Sequence, residues 1–200
     1  MNGYVMRITR QYRMTARRLA ALIIGLLLTA NCYGFGKPYP GPFFENEQLL
    51  MVLVPRAPEQ MAAFYEARGF PQNAIDIITD TCFVTVHIEN KSQQVTWLET
   101  GNWRLTGNGQ ALTIMGTDYW NRQWEEIDLP RANRSTFYWT QLPAVVDLQA
   151  DEPVGGNIVV PGDVEYFAIE ANFMTDQDKR GQMIQLNFEH VECPKQAPIQ

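Results

Sequence analysis

The chain has 200 residues, of which 46% are apolar and 12% aromatic, and its 22 acidic side chains outnumber 16 lysines and arginines. This composition can bury a sizeable core, which excludes a wholly disordered chain. The net charge of −6 repels phosphate backbones, and no basic patch with interleaved aromatic residues is visible. We therefore expect no nucleic-acid partner.

The first 31 residues have the layout of a bacterial export signal. Five arginines and no acidic residue precede an uninterrupted apolar run over residues 19–30. Such a run is too short to span a bilayer comfortably, which favours a signal peptide. A buried core helix is the alternative, but the arginines are hard to accommodate there. Translation could start at Met1 or at Met14. Without residues 1–31 the chain carries 11 basic and 22 acidic side chains, a net charge of about −11.

A cysteine, Cys32, follows the apolar run directly. The stretch resembles a bacterial lipoprotein signal, in which a cysteine is acylated and becomes the first mature residue. Ala30 fits that pattern, whereas Thr29 and Asn31 replace the usual leucine and small residue. The resemblance implies that Cys32 is lipidated, and several acyl chains suffice for stable anchoring on a membrane. Tyr33 follows instead of aspartate, which by resemblance to enterobacterial sorting implies the periplasmic side of the outer membrane.

Ordinary signal peptidase cleavage after Ala30 is the alternative. The product would be a soluble periplasmic protein, with Cys32 as an odd thiol in an oxidising compartment. In either case residues 32–47, rich in proline and glycine, predict an extended tether. A single domain over 48–194 and a flexible tail over 195–200 complete the predicted organisation.

The domain begins with an apolar run at 49–55 that predicts a strand. Two helices are predicted next, over 58–69, where Pro58 suits the first helical position, and over 71–80. From Thr81 the apolar residues alternate, which predicts a strand over 81–90. Further predicted strands cover 95–99, 102–106, 111–115, 137–142, 154–160, 164–174 and 181–191.

One segment interrupts the strands. Trp120, Trp124 and Ile127 follow helical spacing after Thr117 or Asp118 as a possible N-cap, which predicts an inserted helix near 117–128. The pattern as a whole indicates a mainly β chain that forms an antiparallel sandwich with two or three short accessory helices.

The stretch VVDLQADEPVGGNIVVP, residues 145–161, resembles the late strand-turn-strand region of secreted bacterial immunoglobulin-like modules. Within it, 151–153 replaces the usual Pro-Gly turn. The resemblance implies an immunoglobulin-like β-sandwich. The chain departs from true immunoglobulin domains in its Cys, Trp, Cys spacing, because Cys193 lies 111 residues after Cys82.

The two remaining cysteines predict a disulfide. Cys82 opens the first alternating strand and Cys193 follows the last one, so a bridge would tie the closing strand to the sheet. The alternative is a copper site formed by His87, His190 and Cys193, completed by one methionine. The candidate methionines are Met174 and Met183. Otherwise the two histidines lie on the polar faces of strands.

Five tryptophans are candidates for a binding surface. Tyr119, Trp120 and Trp124 could form an exposed aromatic surface on the inserted helix, whereas Trp97 and Trp139 are expected in cores. No catalytic motif is recognisable, so we predict a non-enzymatic envelope binding or assembly module without cofactors. Its expected partners are the membrane, through the lipid anchor, and an envelope protein or glycan. The alternatives are a periplasmic copper-handling protein and a carbohydrate-binding module.

Overall fold

A computed structural model describes residues 39–196 of the chain. The predicted export signal, Cys32 and the first part of the tether lie outside this range, as do residues 197–200. Within the described range, no helix is long and apolar enough to cross a bilayer.

Four α-helices, one short 3₁₀ helix (Thr100–Asn102) and ten strands occur in the described residues. The helices are α1 (Pro58–Glu66), α2 (Gln72–Thr79), α3 (Thr117–Glu126) and α4 (Arg131–Trp139). The strands are β1 (Phe43–Glu45), β2 (Leu49–Arg56), β3 (Thr81–Asn90), β4 (Thr96–Glu99), β5 (Arg104–Gly107), β6 (Gln110–Leu112), β7 (Val145–Leu148), β8 (Pro153–Pro161), β9 (Tyr166–Thr175) and β10 (Met183–Glu192).

The strands form two antiparallel sheets packed as a β-sandwich, which confirms the predicted fold class. Sheet 1 has the strand order β1-β2-β3-β8. In sheet 2 the central strand is β9, which pairs with β10 along one edge and with β4 and β5 in succession along the other. The strands β7 and β6 pair outside β4 and β5, respectively.

The main core lies between the two sheets. Val84, Val86 and Ile88 alternate along β3 and point inward, where they share one cluster with side chains of β9 such as Ile169 and Phe173. Full burial of each such side chain contributes about 1.5 to 3 kcal/mol. The alternating apolar residues that predicted these strands are thus the residues whose side chains face the core.

A second core lies on the outer face of sheet 1. There Phe83 and Val159 point away from sheet 2 and pack with buried residues of all four helices. Sheet 1 is therefore covered on both faces in this region. Residues 49–53 of β2 are all buried, and Leu49, Met51 and Leu53 among them belong to the core between the sheets.

The segment from 131 to 139 corrects one prediction. Residues 137–142 were expected to form a strand, but α4 ends at Trp139 and raises the helix number above the predicted two or three. Aromatic residues favour strands only weakly, and packing overrides that preference. Here Phe137 is fully buried and contacts the rings of Tyr65 and Trp120 from its place on a helix.

The domain begins earlier than predicted. Strand β1 lies inside the predicted tether, and Leu53 N donates a hydrogen bond to Pro42 O at 2.8 Å. A Cβ atom at Gly41 would lie 2.0 Å from Leu53 O, so only glycine permits this close approach. At the other end, Lys195 Nζ donates to Gly162 O and Val164 O, which fixes the start of the predicted tail.

The predicted disulfide between Cys82 and Cys193 is present. Cys82 lies on β3 of sheet 1, and Cys193 directly follows β10 of sheet 2. Both residues are buried in the core between the sheets. The bond therefore links the two layers and closes a sequence separation of 111 residues.

Candidate functional site

Trp139 is the most exposed large apolar side chain of the described domain. It is the last residue of α4, and its exposed fraction is 87%, whereas Phe137 on the same helix is 0% exposed. Two helical residues differ by about 200° around the axis, so burial of Phe137 directs Trp139 outward. A ligand that covers this indole would gain the free energy of burying its apolar surface.

Two open grooves border Trp139. We call them groove A and groove B. Groove A has a volume of about 610 Å³, and its lining includes Ile114, Met115, Tyr138, Gln141 and Asn157. Groove B has a volume of about 520 Å³, and its lining includes Arg56, Phe64, Thr85, His87 and Asn157. Both volumes lie within the range of about 300 to 1,000 Å³ that is typical of small-molecule sites.

The segment after α4 runs beside the edge of β8 and separates the grooves. Asn157 N donates to Thr140 O at 2.8 Å, and Leu142 N donates to Asn157 O at 2.9 Å. Gln141 and Asn157 form a parallel bridge. These bonds hold the end of α4, and hence Trp139, against sheet 1.

Close packing at Gly156 allows this approach. A Cβ atom there would lie 2.4 Å from Leu142 N and 2.6 Å from Gln141 C. A Cβ atom at the neighbouring Gly155 would meet Val86 O at 3.5 Å, an ordinary contact.

We expect Gly156→Ala to lower the free energy of unfolding by about 1 to 3 kcal/mol, because the 140–142 backbone must move away from β8. Gly155→Ala is the matched control, with an expected change within about 0.5 kcal/mol. Urea unfolding of both variants measures the difference. Equal stability of the two would contradict the close packing described.

Polar side chains form a connected chain along groove B. Arg56 Nε donates to Thr85 Oγ1 at 2.8 Å, and Thr85 Oγ1 donates to Asn157 Oδ1 at 2.8 Å. These bonds use one guanidinium nitrogen and one amide oxygen. Within residues 39–196, neither the two Nη atoms of Arg56 nor Asn157 Nδ2 donates a hydrogen bond to protein. The groove thus presents donors that a ligand can use.

Tyr65 forms a hydrogen bond with Thr140, the residue that follows Trp139 at the end of α4. Thr140 Oγ1 donates to Phe137 O at 2.7 Å, so the Tyr65 hydroxyl, also 2.7 Å away, donates to Thr140 Oγ1. Burial raises the pKa of Tyr65 to about 12. The neutral phenol is therefore the form that the folded protein holds.

This shift predicts an alkaline loss of stability. The folded pKa lies above the unfolded value of 10.0, so the stabilisation is complete below pH 10 and is lost as the pH rises to about 12. The loss should reach about 2 to 3 kcal/mol. Tyr65→Phe should lose about 0.5 to 1.5 kcal/mol at neutral pH but resist alkali better than the wild type. Urea unfolding from pH 8 to about 12 tests this, and parallel pH curves for both proteins would contradict it.

The predicted aromatic surface on α3 is wrong. Trp120 and Trp124 are 1% and 0% exposed, and Tyr119 is half-buried. Trp120 stacks on Trp124 with a centroid distance of 5.0 Å, and both contact Phe137. Their helical spacing marks the buried face of α3, because these rings cover the outer face of sheet 1.

The structure also separates the residues of the alternative copper site. His87 is exposed on sheet 1, at groove B, whereas His190 lies on sheet 2 and stacks on Tyr166 at 4.7 Å. The sulfur of Cys193 is bonded to Cys82, so no thiolate is available there. Among the described residues, no three histidine, cysteine or acidic side chains are grouped to hold a metal ion.

Sequence reasoning missed Trp139, although a signal was present. Pro130 precedes the segment, and proline is common where a helix begins. In a helical register Phe137 is buried and Tyr138 packs partly against the same core, which leaves the final ring in solvent. Trp97, also expected in a core, is half-buried on sheet 2 and its Nε1 donates to Asp176 O.

Fold and site define an antiparallel β-sandwich protein with a helical layer on one sheet and two grooves beside an exposed tryptophan. No family model and no curated protein matches the chain. Among solved structures, it resembles YcdA from Bacillus subtilis, which is provisionally described as a lipoprotein. The sequence identity is 10%, the TM-score is 0.38, and the match covers 76% of this chain and 39% of that chain. So distant a likeness transfers no role to this protein.

Proposed function

We propose that the protein is an exported, non-enzymatic binding module of the bacterial envelope, whose ligand contacts Trp139 and grooves A and B. The observation that carries the proposal is the 87% exposure of Trp139 between two grooves. A large ring held in water costs free energy that a ligand recovers on binding. The groove residues supply aromatic surface, hydrogen-bond donors and a cation, which are means of binding.

The export signal and Cys32 support an envelope location, with Cys32 acylated and the domain on the periplasmic side of the outer membrane. The domain begins by Pro42, and a fully extended chain from Cys32 to Pro42 spans at most about 35 Å. In this proposal the module works close to the membrane surface. The intact mass of the wild type recovered from membranes should include the acyl chains, and that of Cys32→Ser should not. A wild-type mass without acyl chains would contradict the anchor.

The binding role is tested with the full chain and with envelope fractions of the organism that encodes it. Trp139→Ala should reduce co-sedimentation with one of the fractions at least tenfold, which corresponds to about 1.4 kcal/mol. Tyr166→Ala is the matched control, since Tyr166 is an aromatic residue that is 48% exposed on sheet 2. The same co-sedimentation for both variants and the wild type would refute the proposed binding surface.

A further inference from the structure

We propose that the ligand of this site is a glycan that carries a carboxylate, with the Trp139 indole stacked on a sugar ring and Arg56 bound to the carboxylate. This inference rests on the proposed binding function and names the class of ligand.

The charge of the grooves points to an anionic ligand. None of the described residues that line grooves A and B is aspartate or glutamate, although the whole chain carries 22 acidic side chains. Arg56 and His87 are the basic residues in that lining. Within residues 39–196, Arg56 forms no ion pair with an acidic side chain. An unpaired guanidinium in a groove without carboxylates is complementary to an acidic group.

The guanidinium of Arg56 is already oriented. Its Nε is held by Thr85, which is in turn held by Asn157, and Arg56 itself is only half-exposed. This arrangement leaves the two Nη atoms for a carboxylate. Little side-chain entropy remains to be lost on binding, which strengthens a charged hydrogen bond.

The strand edge favours a glycan over a peptide. Extended peptides bind by adding a strand and pairing with several residues of an open edge. The edge of β8 is already paired, at Asn157 with the segment 140–142 and at Val159 with Met115. By strand alternation, Gly155 still points its N–H and C=O outward. One residue offers too few backbone hydrogen bonds for strand addition.

The exposed indole of Trp139 is suited to stacking on a sugar ring. The C–H face of a sugar carries partial positive charge and the face of an indole partial negative charge, so the two stack. The hydroxyl groups around a sugar ring need hydrogen-bond partners. Asn157 Nδ2 borders both grooves beside Trp139 and can supply one such partner.

The test compares tetragalacturonate with its methyl ester, in which neutral ester groups replace the carboxylates, by calorimetry on the full chain. We expect tetragalacturonate to bind about 10- to 100-fold more tightly than the ester, because the charged hydrogen bond is lost in the ester. Arg56→Gln should abolish that preference, and Arg56→Lys should restore part of it. Trp139→Ala should weaken both probes at least tenfold. Unfolding midpoints within a few degrees of the wild type show that the variants are folded.

Several outcomes would overturn the assignment. Equal affinity for the acid and the ester would exclude a carboxylate as the recognised group. Failure of both probes to bind would exclude a glycan as the ligand. Tighter binding of a hexapeptide with a free C-terminal carboxylate than of tetragalacturonate identifies a peptide site instead. If these results occur while Trp139→Ala still reduces co-sedimentation with envelope fractions, the ligand class fails and the binding function stands. If Trp139→Ala leaves co-sedimentation unchanged, the binding function itself fails.

Discussion

Removal of the disulfide between Cys82 and Cys193 is expected to lower the free energy of unfolding by about 4 to 5 kcal/mol. The bond closes a sequence separation of 111 residues, so in the loop-entropy model it restricts the unfolded chain strongly. It also joins β3 of sheet 1 to the end of β10 in sheet 2. Such a loss is a large part of the 5 to 15 kcal/mol that stabilises typical domains.

Urea unfolding of the oxidised protein and of the Cys82→Ala/Cys193→Ala variant measures this effect. Wild-type protein unfolded in the presence of reductant provides the control, because it keeps both sulfur atoms in the sequence. Reduced and oxidised protein that unfold at the same urea concentration would show that the bond does not constrain the chain as described.

Phe137→Ala is expected to cost about 3 to 5 kcal/mol, whereas Trp139→Ala should change stability by no more than about 0.5 kcal/mol. The two aromatic residues lie two positions apart on α4. Phe137 is fully buried in the second core, on the outer face of sheet 1, where its ring contacts Tyr65, Trp120 and Trp124. Its removal leaves a cavity between sheet 1 and the helices.

Binding assays should separate the role of Trp139 from that of Phe137. Trp139→Ala should lose the ligand while it keeps the fold, because its ring is in solvent. Phe137→Leu refines the test, since it fills most of the volume and should cost less than Phe137→Ala. A large loss of stability in Trp139→Ala would mean that the ring packs against the protein, and its role as a free binding surface would be excluded.

Periodicity predicted the long strands of both sheets and three of the four α-helices, α1, α2 and α3. The alternation in β3, β9 and β10 was visible because one face of each strand enters the core between the sheets. The helix α1 was also recognisable from Pro58 and its spacing. The segment 131–139 was not, because its closing run of three aromatic rings fits a strand by propensity and a helix only by packing.

The candidate site shows the same limit. A tryptophan on the apolar face of a helix can be a core residue or a contact surface, and the pattern is identical in both cases. Trp120 and Trp124 are core residues because sheet 1 presents Phe83 and Val159 beneath them. Trp139 is exposed because α4 turns Phe137 inward. Packing against sheet 1 therefore distinguishes the two buried tryptophans from the exposed one.

From sequence alone it was possible to derive the antiparallel sandwich and the pairing of Cys82 with Cys193, since each depends on local period or cysteine count. The tertiary structure decided that four helices cover one sheet, that Gly156 lets the end of α4 approach β8, and that Arg56 and Trp139 border one groove. Residues 56, 139 and 157 are far apart in the chain. Only long-range packing, which no local pattern encodes, brings them to one surface.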